Sequence, residues 1–186
     1  MTPQEPILII HDGGLPALVA CLMVPNLSDV IAWIPPAGSS LRSAGADPVS
    51  QAAFVRQQAD LLGFGKVVTP TPETAGPSEH HRVFEQSRTL LRAAADAAAL
   101  GCRRVVWPVV AGDRAQDLLE LSERAALVNR LLWLAEAART TDPGAAPPAP
   151  RLETPFIDLT PAQIADAAKD LDAPLAACWW TEEMPV

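Results

Sequence analysis

PILIIHDGGLPALVACLM, Pro6 to Met23, passes from an apolar run through a double glycine into a second apolar segment. Pro6–Ile10 has no polar alternation, as expected of a strand buried on both faces. Leu15–Val24 has the length and composition of a helix, and Pro16 is tolerated in its first turn, where a missing N–H has no helical partner. Strand, glycine turn and helix together form the layout by which a chain cradles a phosphate on exposed backbone N–H groups. The same layout also serves as a plain tight turn. Glycine then supplies positive φ, while Asp12 caps the helix and faces the positive end of its dipole. On the residues alone both readings stand.

Working outward, strand-like and helix-like pieces alternate to the end of the chain. Asp29–Ile34 reads as a second strand, closed by Pro35-Pro36. Asp47 is placed to cap a helix whose apolar side is Val49, Ala52, Ala53, Val55, Ala59 and Leu62. Lys66–Thr69 is a third strand. It is followed by a loop broken at Pro70, Pro72, Gly76 and Pro77 and by an alanine-rich helix over about 81–100. Cys102–Val110 reads as a fourth strand, followed by a loop over 111–114 and a long helix to about Arg139. Thr140–Pro150 has too many prolines for either element and reads as a flexible excursion. RLETPFIDL, Arg151–Leu159, is a fifth strand, and Thr160-Pro161 opens a last helix as N-cap and first helical position. The expectation is one α/β domain over 1–186: a five-stranded parallel sheet in a three-layer α/β/α, Rossmann-like arrangement. Ligands of such sheets sit at the carboxyl ends of the strands. This directs attention to the loops His11–Leu15, Ile34–Ser43, Thr69–Arg82 and Ala111–Asp117.

Composition narrows the function classes. The formal net charge is −8 and no basic stripe stands out, which argues against nucleic acid held by counterion release. Cys21, Cys102 and Cys178 lie far apart and form no Cys-x-x-Cys pair, which argues against a zinc ribbon and a disulfide framework. No apolar run approaches the length of a membrane span and no secretory signal is visible, so the expected setting is cytoplasmic, away from membranes.

Taken together, these pieces resemble the PP-loop adenine nucleotide α-hydrolases (HUP/PP-loop type), and within them the 7-cyano-7-deazaguanine synthases of queuosine biosynthesis. That family ends its first strand in Ser-Gly-Gly-x-Asp-Ser; here the positions read Asp12-Gly13-Gly14-Leu15-Pro16-Ala17. A family Arg-Asn pair falls on Arg88-Thr89. The family's Glu-Thr-Pro-Leu, Gly-x-Pro-Leu and Thr-Trp-Ser-Cys segments are matched in part by Glu153, Thr154, Pro155, Pro174, Leu175 and Trp179. The departures fall on reactive positions: Asp12, Pro16 and Ala17 in the glycine loop, Pro108 after the fourth strand, Pro161 and Gln163 at the last helix. Trp180-Thr181 replaces Ser-Cys, and the family's zinc-binding cysteines have no counterpart.

The resemblance implies ATP with Mg²⁺ as the ligand, phosphates on the glycine loop, and activation of a carboxylate as an acyl-adenylate. The altered positions imply a protein that has lost this reaction but keeps adenine nucleotide or anion binding, as a homodimer or an accessory subunit. They imply no structural zinc, with Trp179 and Trp180 as apolar substitutes. Two other readings remain: an active ATP-dependent ligase acting on a deazapurine or another carboxylate, and a ligand-free interaction scaffold. The candidate nucleotide-binding residues are His11, Asp12, Gly13, Gly14, Arg88 and Asp113. Each has a plainer alternative: a hydrogen bond to the neighbouring loop for His11, a helix-capping turn for Asp12, Gly13 and Gly14, a structural salt bridge for Arg88, and a solvated rim shared with Asp117 and Glu120 for Asp113. His80 and His81 lack a third ligand at metal-binding spacing.

Overall fold

Ile7–Ile10 forms the central strand, β1, with all four residues buried. It divides its side chains between two cores: Ile7 and Ile9 enter one cluster, Leu8 and Ile10 another. That two-sided burial is why the run shows no polar alternation. The computed structural model describes residues 5–37, 39–41, 47–71, 79–139 and 149–178, apart from the side chains of 79–83 and 139. The proline-rich stretch after Arg139 lies largely outside these residues, and Trp179 and Trp180 wholly so.

The other strands are β2 (Val30–Trp33), β3 (Lys66–Val68), β4 (Arg104–Val106) and β5 (Arg151–Glu153). All pair in parallel, in the order β3-β2-β1-β4-β5. The helices are α1 (Leu15–Leu22), α2 (Pro48–Leu62), α3 (Glu79–Ala99), α4 (Ala115–Arg139) and α5 (Pro161–Asp170). The expected five-stranded parallel α/β/α fold is therefore present. On one face α1 and α5 cover Ile7, Ile9 and Val106, while Val55 of α2 meets Ala32 and Ile34. On the other face, α3 presents Leu90, Ala93, Ala94 and Ala97, the i, i+3, i+4, i+7 stripe of a helix lying flat on a sheet. The small side chains let α3 approach Leu8, Ile10 and the fully buried Trp33, whose indole N–H donates to Asp96 Oδ2 at 2.8 Å. Alongside α3, α4 contributes Ala125 and Val128 to the same core.

Several local expectations need correction. β4 and β5 are shorter than their apolar runs. Pro108 brings no N–H to continue the ladder, and Trp107 N–H makes one last bond to Glu153 O (2.8 Å). Beyond Glu153 the chain turns at Thr154–Asp158. In α2, Val49 and Ala53 are exposed; the buried side is Gln51, Val55, Gln58 and Ala59. His80 and His81 lie in the first turn of α3 rather than in a loop. Asp47 does cap α2, accepting from Ser50 N–H at 2.9 Å, and Thr160 caps α5 in a reciprocal box with Gln163. Gly65 turns into β3 where a Cβ would lie 2.0 Å from Ser28 O, so no larger residue fits the present backbone path.

Candidate functional site at the carboxyl edge of the sheet

Consecutive strands step from β1 to β2 and β3 on one side, then cross to β4 and β5 on the other. The gap between β1 and β4 is thus the switch point of the sheet, where loops diverge and leave a crevice. A cleft of ≈ 270 Å³ opens there, just below the roughly 300 Å³ at which ordinary small-ligand pockets begin. Ile10 and Trp107 close it from the strand ends, and Pro16 and Ala17 from the first turn of α1. Ser40 and Leu41 contribute the loop after β2, Gln86 comes from α3, and Pro108–Val110 follow β4. Asp12 is the one charged side chain among its described lining residues.

Asp12 leads into a turn whose amides are already engaged. Gly13 has φ 87°, a left-handed conformation that favours glycine, and its N–H donates to His11 Nδ1 at 3.1 Å. Gly14 N–H donates to Asp12 Oδ1 at 2.9 Å. Gly14, not Asp12, is the N-cap residue of α1, so Asp12 holds the turn from two residues upstream instead of capping the helix. Two backbone donors available to an anion in a bare glycine loop are here bonded to side chains of the same loop.

Behind the turn lies a buried polar layer. The His11 ring is fully enclosed, tilted against Phe64 with centroids 6.1 Å apart, and its own N–H is bonded to Trp33 O. Burial pushes the imidazole down to about 4, against the opposing pull of the Asp12 carboxylate, so the ring is neutral at pH 7. Because Nδ1 accepts from Gly13, the ring proton sits on Nε2, which has no partner among the described residues. The Gln58 amide donates to Gly13 O (3.1 Å) and Ala177 O (2.8 Å), while its buried Oε1 has no described partner. Cys178 lies beside it, its thiol pushed up to about 12 by burial and then by the Asp12 charge. Burial likewise raises the Cys21 and Cys102 thiols, which leaves all three cysteines protonated near neutrality.

Outside the described lining but bonded to the lining residue Ser40, Glu85 of α3 accepts from Ser40 N–H (3.0 Å) and Ser40 Oγ, and from Thr89 Oγ1 at 2.8 Å. Burial pushes its carboxyl up, but these donors outweigh burial and hold it below the usual carboxylate value. An ionised Glu85 thereby pins the loop after β2 to α3.

Of the six candidates, Asp12 lines the cleft, while His11, Gly13 and Gly14 form the buried turn beneath it. Arg88 and Asp113 are exposed and lie outside the described lining. Gln58, Glu85, Ser40 and Trp107 carry the local architecture without having stood out in the sequence. For Glu85 the signal was present, since its i+4 neighbour is Thr89, on the pair matched to Arg-Asn. No group of three or more His, Cys, Asp or Glu gathers as a metal site among the described residues. No described helix is long and apolar enough to cross a membrane.

A five-stranded parallel α/β/α protein with a small acidic cleft at its switch point is the class that fold and site define. No protein-family profile matches the sequence, and no curated protein does. Among solved structures the chain is similar to the U34-tRNA thiolase NcsA from Methanococcus maripaludis, described with its [4Fe-4S] cluster. The TM-score is 0.53 and the identity 14%, over 91% of this chain and 58% of that one. It is also similar to the NMN synthetase from Francisella tularensis, with a TM-score of 0.49 and 16% identity over 94% of this chain and 65% of that one. At these identities the likeness to NcsA is a likeness of fold. The chain spans under two thirds of the length of either.

Proposed function

We propose that this protein binds an adenine nucleotide as its Mg²⁺ complex in the switch-point cleft and does not carry out acyl-adenylate chemistry. The observation that carries the reading is the position of Asp12, the sole charged side chain among the described lining residues. Mg²⁺ is commonly held by one or two carboxylates together with substrate phosphates, and that donor set fits what the cleft offers. Without the ion, Asp12 opposes a phosphate: two unit charges about 4 Å apart repel by roughly 4 kcal/mol at an effective dielectric of 20. Apolar walls from Ile10, Leu41 and Trp107 suit the base, and the volume suits a nucleoside-sized body with the rest of the ligand outside.

The non-catalytic half of the reading rests on chemistry that the cleft lacks. Adenylate formation gathers negative charge on the transferring phosphorus, and its stabilisation needs donors and cations aimed at that charge. The resembled synthases place hydroxyls where this chain has Asp12 and Ala17, and the described lining includes no Lys, Arg or His.

Calorimetric titration with ATP, AMP and GTP, with and without Mg²⁺, tests the binding half. The wild type is expected to bind Mg²⁺-ATP more tightly than free ATP. In Asp12→Asn, which keeps an oxygen for Gly14 N–H, that order reverses. No heat with any nucleotide would leave the interaction-scaffold reading. Pyrophosphate release from ATP, Mg²⁺, ammonia and 7-carboxy-7-deazaguanine, abolished by Gly13→Val, would overturn the non-catalytic half.

A further inference from the structure

The outer side of α4 carries features that neither the cleft nor the core uses. Val128 and Ala125 face the sheet, yet Leu119, Leu127, Trp133 and Leu134 on the same helix are exposed by 60%, 62%, 62% and 48%. A helix apolar on two sides is ordinarily buried on two sides. Along the middle of the outer side run Leu119, Glu123, Ala126, Leu127, Arg130 and Leu134 at steps of three and four, a continuous stripe on an α-helix.

Glu123 and Arg130 stand out within that stripe. Both are exposed, and no ion pair joins either to any described residue. Helix geometry denies them one another, since seven residues separate them by two turns. Four positions away on either side, Glu123 meets Leu119 and Leu127, and Arg130 meets Ala126 and Leu134. Neither finds an opposite charge at helical spacing. An acid and a base thus stand amid exposed leucines, equidistant from the Ala126–Leu127 step.

We propose that this face is a two-fold interface through which α4 pairs antiparallel with α4 of a second copy of this chain. Centred between Ala126 and Leu127, the pairing sets each Glu123 against the second copy's Arg130, and each Leu119 against its Leu134. The small Ala126 at the centre lets the helices approach closely. The arrangement is self-complementary, as a two-fold contact requires: every charge on the stripe meets its opposite, and every large leucine meets an apolar partner. A parallel pairing in register would instead oppose Glu123 to Glu123 and Arg130 to Arg130. The two ion pairs set direction and register, while the leucines and Trp133 supply the apolar burial.

Sedimentation velocity across the micromolar range, in the absence of nucleotide, tests this independently of the cleft. The wild type is expected to dimerise. Glu123→Arg and Arg130→Glu, each alone, place like charges at both crossings and weaken dimerisation by about tenfold or more. Mixed together, the two variants regain a dimer, because every crossing then opposes Arg to Glu. Unchanged far-ultraviolet circular dichroism confirms that these exposed substitutions leave the fold intact. A wild type monomeric throughout, a dimer indifferent to both reversals, or a mixture that fails to reassociate would each overturn the proposal. The first outcome would mean that something other than a second copy covers α4.

Discussion

His11 holds a neutral ring in a place where the Asp12 carboxylate only partly offsets the cost of protonation. Its folded value of about 4 lies below the ordinary 6.5, so between those pH values the unfolded chain binds more protons. Stability contributed by the neutral ring is fully present above pH 6.5 and declines as pH falls toward 4. The shift corresponds to roughly 3 kcal/mol. His11→Asn keeps an acceptor for Gly13 N–H while removing the titration. Urea unfolding of wild type and variant between pH 7 and 4.5 is expected to show the wild type losing roughly 2 kcal/mol more, the rest of the loss falling below pH 4.5. Parallel slopes in the two proteins would refute this account of the turn. At this scale the sequence is only half legible. His11, Asp12 and the glycines announce a strand-to-helix turn. Gln58 does not, because glutamine on a helix reads as surface and only its 45-residue reach to Gly13 places it inside.

Among the elements, β5 shows how a short edge strand is finished. Asn129 of α4 donates to Leu152 O at 2.9 Å and accepts from Leu152 N–H at 2.8 Å, so its amide stands where a neighbouring strand's peptide would. Removing it leaves a partly buried N–H and C=O unmatched, a loss of about 1–3 kcal/mol. Asn129→Ala is therefore expected to lower unfolding free energy by that amount, with Asn129→Asp, which keeps the acceptor and loses the donor, in between. Denaturant unfolding with an unchanged slope would measure it; equal stability of all three proteins would show the contact to be idle. Element type was readable from the alternation of apolar runs and from the caps Asp47 and Thr160. Strand length was not. Apolar runs such as Cys102–Val110 continue past the ladder because the residues after it line the cleft, and hydrophobicity does not distinguish a sheet neighbour from a pocket wall.

For the whole molecule, binding in the cleft couples to folding by mass action. A ligand at a hundred times its Kd adds about 2.7 kcal/mol, and each kcal/mol raises the Tm of a domain of 150–250 residues by about 2–4 °C. Saturating Mg²⁺-ATP is thus expected to raise Tm by about 5–10 °C in calorimetry, and an unshifted transition would count against the site. Parallel topology followed from strand–helix alternation, whereas the strand order that sets the switch point between β1 and β4 is visible only in the fold. The outer face of α4 escaped notice because leucines spaced all round a helix give no single apolar stripe to read.

One buried amide joins two parts of the site that are far apart in the chain. Gln58 ties the carbonyl of Gly13, near the beginning, to that of Ala177, 119 residues downstream of the glutamine itself. During synthesis β1 and its turn emerge well before the carbonyl that completes this tie. Until then the turn beneath the cleft rests on its own local bonds, and it gains this tie only once the segment that carries Ala177 is in place.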